Sequence, residues 1–188
     1  MNPTITYKQE TNYLTILWVA IISVLASGFI GATTNIINGF VSPTYFRNVM
    51  GWDFEGIWAA SVAQGIFEGL LYGIVFTLVF IATIGFVTKG QATFGFGIRH
   101  LLRVVAFVYL CWVIGGLIAM GLATLSPDFY KKTFINVPEN FRQMIGYAWV
   151  GGSIWGAMFG GLFGIVLGAF GVWSNWKIIE KITPGNIV

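Results

Sequence analysis

The sequence predicts an all-α integral membrane protein whose four transmembrane helices form two tandem helical hairpins within a single transmembrane domain, residues 1–188. Three observations carry that expectation. Charged residues make up only 9% of the chain, against roughly 25% in soluble domains. Hydrophobic residues reach 56%, and the mean hydropathy is +0.79. Four apolar stretches each exceed the ~20 residues that cross a bilayer. The same composition excludes a nucleic-acid-binding module, because the ten Lys and Arg are scattered. It also excludes disorder and a disulfide scaffold, since the one cysteine, Cys111, lies inside an apolar run.

The first span is expected from Tyr13 to Phe40 and the second from Ile57 to Val87. The third covers Leu101 to Leu125, and the fourth Ile145 to Trp173. Each must be helical, because hydrocarbon offers no partner to an unpaired backbone group. The N-terminus does not read as a secretory signal: Lys8 is soon followed by Glu10, and the apolar run is too long for a signal core. Ser42-Pro43 and Ser126-Pro127 follow the first and third spans. A serine caps a new helix and a proline suits its first turn, so a short interfacial helix is expected after each pair. Its aromatic and basic side chains suit the headgroup layer.

Orientation follows from charge. The N-terminus, the second connection and the C-terminus carry six Lys and Arg against two acidic residues. The first and third connections carry four of each sign. Counting Lys and Arg alone puts both termini in the cytoplasm, in a bacterial inner membrane or its equivalent.

The two halves echo one another. Val41-Ser42-Pro43-Thr44-Tyr45-Phe46-Arg47 recurs as Leu125-Ser126-Pro127-Asp128-Phe129-Tyr130-Lys131, a shift of 84. At a shift of 87, Gly65, Gly69 and Gly73 meet Gly152, Gly156 and Gly160. Residues 13–87 and 101–173 therefore read as two hairpin repeats in one orientation. Glycine recurs every fourth residue at Gly65, Gly69 and Gly73, and again at Gly152, Gly156, Gly160, Gly164 and Gly168. Small residues at this spacing let helix backbones approach closely, so these eight positions are expected at helix–helix contacts. Trp112 and Trp155 lie deep in their spans and are expected to pack there.

Glu68 is the most informative residue. It lies within the second span with no basic residue near it in sequence, and a carboxylate in hydrocarbon costs several kcal/mol unless protonated, paired or hydrated. Gln64, Glu68 and Tyr72 share a face of their helix with Ser61. The first span offers Thr34 and Asn38 on a similar face, with Asn35 beside them. An antiparallel hairpin would set the two groups together as a site for an ion, a proton or a polar headgroup, or as a hydrogen-bond cluster that fixes helix pairing. At the corresponding positions the second half is apolar: Ile118, Ala119, Leu122, Gly151, Trp155 and Phe159. Arg99, His100 and Arg103 are expected to meet lipid headgroups where the third span begins.

No metal-ligand pair, phosphate loop, Cys-x-x-Cys or serine with a nearby base occurs, so no catalysis, metal or cofactor is expected. The run Gln64-Gly65-Ile66-Phe67-Glu68-Gly69-Leu70-Leu71-Tyr72-Gly73 loosely resembles the carrier helix of the duplicated proteolipids of vacuolar-type rotary ATPases. The aromatic content, the long hairpin connections and their predicted placement outside depart from that pattern, and the chain is assigned to no family. The partners expected are membrane lipids and other transmembrane helices, in a homo-oligomer or a larger membrane complex, with no nucleic acid. The first functional expectation is a non-catalytic subunit acting by assembly. Its rival is a small oligomeric ion or proton channel or transporter centred on Glu68.

Overall fold

A computed structural model describes residues 13–182. Lys8 and Glu10, which entered the charge count, lie outside the described residues. Six helices follow in order: α1 (Tyr13–Val41), α2 (Pro43–Met50), α3 (Ile57–Thr88), α4 (Phe94–Leu125), α5 (Pro127–Thr133) and α6 (Phe141–Ile182). The four long ones are apolar enough to cross a membrane.

Local chemistry explains the helix ends. Ser42 caps α2 by accepting a hydrogen bond from the Tyr45 N–H at 3.3 Å, with Pro43 at the first helical position. Gly51, in the left-handed region, closes it. Ser126 precedes Pro127 in the same way, but its side chain makes no cap; its N–H instead bonds Leu122 O at the end of α4. Two helices outrun their expected spans. α4 starts at Phe94, seven residues early, because Thr93 caps it through the Phe96 N–H. α6 starts at Phe141, where Asn140 accepts from the Gln143 N–H, and it continues nine residues past Trp173. Hydropathy marks where a helix meets hydrocarbon, whereas capping decides where it ends. At ~1.5 Å per residue α6 is about 63 Å long, twice the ~30 Å of hydrocarbon.

α1 lies antiparallel against α3, and α4 against α6. Close approach at glycines builds both pairs. A Cβ on Gly65 would strike Gly31 O, and one on Gly69 would strike Ser27 O. In the other pair Gly152 meets Gly115 O and Gly156 meets Cys111 O. Gly73 and Gly160 lie against the side chains of Ser27 and Cys111, while Gly164 and Gly168 receive Val104, with Phe80 also beside Gly168.

The pairs join through α3–α6 and α1–α4, and two apolar clusters seal the join. One centres on Val19, Phe80, Ile84, Val104 and Val172, toward the α3–α4 connection. The other gathers Tyr45 and Phe46 of α2 and Tyr130 of α5 around Met144, Tyr147 and Val150 of α6. The two short helices thus sit over the same end of the bundle.

Candidate functional site at Glu68

The expected polar set divides into two groups. On α1, the Asn35 Nδ2 donates to Ser61 O at 2.9 Å, crossing to α3. Gly65 makes room for it: a Cβ there would lie 2.8 Å from Asn35 Nδ2. Asn38 Nδ2 donates to Asn35 Oδ1 at 3.4 Å, and Asn38 Oδ1 accepts from Ser153 Oγ of α6 at 3.1 Å. Asn38, Ser61 and Ser153 are fully buried. This chain of bonds ties α1, α3 and α6 together. Thr34 turns back on its own helix, donating to Ile30 O at 2.8 Å.

Glu68 and Gln64 form the second group, on the flank of α3 turned toward α2. Gln64 Nε2 donates to Glu68 Oε1 at 2.8 Å and lies 3.9 Å from Met50 Sδ. Gln64 Oε1 is buried with no hydrogen-bond partner among the described residues. Tyr72, one turn on, is exposed. The antiparallel packing therefore brings Asn35 and Asn38 to Ser61 and Ser153, not to Glu68, because the glycine stripe rather than the carboxylate flank faces α1. Among the described residues the one ion pair joins Lys131 to Glu139, so Glu68 has no cation beside it there.

Tyr45 of α2 lies near enough to feel the charge of this group. Its ring packs 5.0 Å from that of Tyr147 and against the space left by Gly151, at 3.2 Å from a Cβ placed there. Burial, and then the nearby Glu68 carboxylate, raise its phenol above the ordinary tyrosine range. Burial raises Tyr130 in the same sense, with Tyr147 and Tyr45 adding to it. Tyr45, Met50 and Ser153 were not among the expected site residues. The Ser-Pro echo contained Tyr45, but nothing local shows that α2 folds back over Glu68.

Two further placements differ from expectation. Arg99 and Arg103 are exposed, as headgroup contact requires, but His100 is buried. Its ring lies 4.6 Å from Phe96 and its Nδ1 3.1 Å from a Cβ placed on Gly171. Spacing explains it: His100 continues the Leu101–Val104 face that packs on α6, and its neighbours at 99 and 103 do not. Trp112 is buried, edge-on to Trp149 at 5.3 Å, whereas Trp155 is half exposed and stacks on Phe159 at 5.7 Å. No three His, Cys, Asp or Glu side chains converge among the described residues.

Four helices long and apolar enough to cross a bilayer, presenting apolar side chains on their outer faces, make this a multi-pass membrane protein in contact with lipid. No known protein family, curated protein or solved structure matches the chain.

Proposed function

We propose that the chain is a non-catalytic structural or accessory subunit that acts by assembly with other transmembrane helices. One observation carries this reading: the Glu68 carboxylate stands on a spanning helix, hydrogen-bonded to Gln64 and paired with no Lys or Arg of the described residues. Left against lipid, such a group costs several kcal/mol, and a neighbouring subunit is one way to remove that cost. Quantifying subunits in the complex extracted from the native membrane tests it. Stoichiometric companion chains or a homo-oligomer support the reading, and a single chain running alone at native density overturns it.

The same carboxylate favours a second reading, an oligomeric ion or proton channel or transporter with Glu68 in its path. Proton or sodium flux in liposomes holding the purified chain supports it. No flux under either gradient retires it for the isolated chain.

Both termini are proposed to lie in the cytoplasm, in a bacterial inner membrane or its equivalent, supported by the Lys and Arg count. Cysteines placed at exposed Glu55 and Lys89, in a chain lacking Cys111, test this topology; labelling of Lys89→Cys from outside would reverse it. The two hairpins are proposed to be tandem copies. The contacts Gly31–Gly65 and Ser27–Gly69 recur as Gly115–Gly152 and Cys111–Gly156, at the shifts of 84 and 87 that align the sequence halves.

A further inference from the structure

We propose that Glu68 is the docking point for one transmembrane helix of another polypeptide, a helix carrying a Lys or Arg at the depth of Glu68. This rests on the assembly reading above and names the partner chemistry which that reading leaves open.

The surface around Glu68 has the form of a helix seam. Glu68, Tyr72, Val75 and Val79 follow at spacings of four, three and four, which places them on one stripe of α3. Tyr72, Val75 and Val79 are 60%, 58% and 42% exposed. The stripe lies beside the one formed by Gly65, Gly69 and Gly73, which is already filled by α1. A second helix laid along it meets Tyr72, Val75 and Val79 over about two turns and one carboxylate at the end nearer α2. Gln64 orients that carboxylate through Oε1.

Charge selects the occupant. An apolar helix would bury the carboxylate against hydrocarbon side chains, whereas a Lys or Arg would pair with it. A second copy is poorly placed to supply that cation. Its deepest-set one, Arg103, enters from the opposite end of the bundle: it stands about 14 Å from the start of α4, while Glu68 stands about 30 Å from the adjoining end of α3. The cations at the other end, Arg47 on α2, Lys131 and Lys132 on α5 and Arg142 in the first turn of α6, stand on the short helices or at a helix start, whereas Glu68 stands about 17 Å along α3 from its own start.

The test reconstitutes the full chain in phosphatidylcholine vesicles with a labelled single-span Leu/Ala-rich peptide bearing one Lys at the matching depth, or Leu in its place. Association is read by energy transfer. The Lys peptide is expected to bind the wild-type chain on the order of tenfold more tightly than the Leu peptide. Glu68→Asp should retain that preference and Glu68→Gln should abolish it, with both variants keeping the wild-type thermal midpoint to within a few degrees. Equal binding of the two peptides, or a preference that survives Glu68→Gln, overturns the proposal. So does self-association that Glu68→Gln abolishes, which would make a second copy the occupant. If companion chains persist in the native complex of Glu68→Gln, the docking assignment fails while the assembly reading stands.

Discussion

Asn48 and Asn136 exchange hydrogen bonds across the two connections: Asn48 Nδ2 donates to Asn136 O at 2.7 Å, and Asn136 Nδ2 donates to Asn48 O at 2.9 Å. The pair links the segment between α1 and α3 to the segment between α4 and α6, 88 residues apart in sequence. Asn136 holds φ at 49°, a left-handed conformation that Asn tolerates better than other side-chain-bearing residues. Neither bond depends on burial, since both are exposed.

That geometry separates two contributions. Asn136→Gly keeps the backbone conformation and removes one donor, so it should cost about 0.5–1.5 kcal/mol. Asn136→Ala adds the left-handed strain of a β-carbon, a further ~1–2 kcal/mol. Thermal unfolding in detergent, followed by circular dichroism, should rank wild type above Gly above Ala. Equal midpoints for Gly and Ala would show that the backbone there relaxes freely.

The glycines of α6 should divide by what faces them. A Cβ on Gly156 would strike Cys111 O, whereas one on Gly161 meets nothing within 4 Å. Gly156→Ala should push α4 from α6 and cost about 1–3 kcal/mol. Gly161→Ala should be neutral or stabilising by up to ~1 kcal/mol, through helix propensity alone. The same thermal measurement decides; equal destabilisation by both would mean that close approach is not what holds this pair.

Periodicity and composition alone specify four spans, their approximate bounds and the two Ser-Pro helices, because each depends on local hydropathy or on a proline suited to the first helical turn, although only Ser42 of the two serines makes the expected side-chain cap. They do not specify where α2 folds. Tyr45 reaches Gly151 and the neighbourhood of Glu68 only because α2 lies back over the bundle, a tertiary relation with no local signal. The Asn38–Ser153 bond is illegible for the same reason: it crosses between the two helix pairs, and Ser153 looks like one more small residue among glycines. His100 shows the converse error. Two flanking arginines suggested a shared headgroup face, yet the helical spacing turns His100 inward.

Tyr45 and Tyr130 give the protein a pH dependence with a definite sign. Both phenols keep their protons in the fold at pH values where an exposed tyrosine, with its ordinary value of 10.0, loses its own. The folded state binds more protons than the unfolded chain only above that value, so the stability contribution is complete below about pH 10 and falls as pH rises beyond it. Tyr45→Phe removes one such group. Its thermal midpoint should fall less than the wild type's between about pH 9 and 11. Parallel curves for the two proteins would show that Tyr45 ionises freely in the fold.

Glu68 is where packing and charge come apart. Its Oε1 accepts from Gln64 Nε2 at 2.8 Å, a bond that a neutral amide oxygen can also accept. Glu68→Gln should therefore leave the isolated fold within about 0.5 kcal/mol of wild type. Glu68→Ala removes the acceptor and leaves Gln64 Nε2 facing only Met50 Sδ at 3.9 Å, which should cost about 0.5–1.5 kcal/mol on this half-buried flank. Thermal unfolding of the purified chain in detergent should thus order wild type and Gln together above Ala. If Gln destabilises as much as Ala, the negative charge itself holds the fold, and a cation within the chain must approach Glu68. If neither variant moves the midpoint, the Gln64 bond contributes nothing, and the role of Glu68 lies wholly outside the isolated subunit.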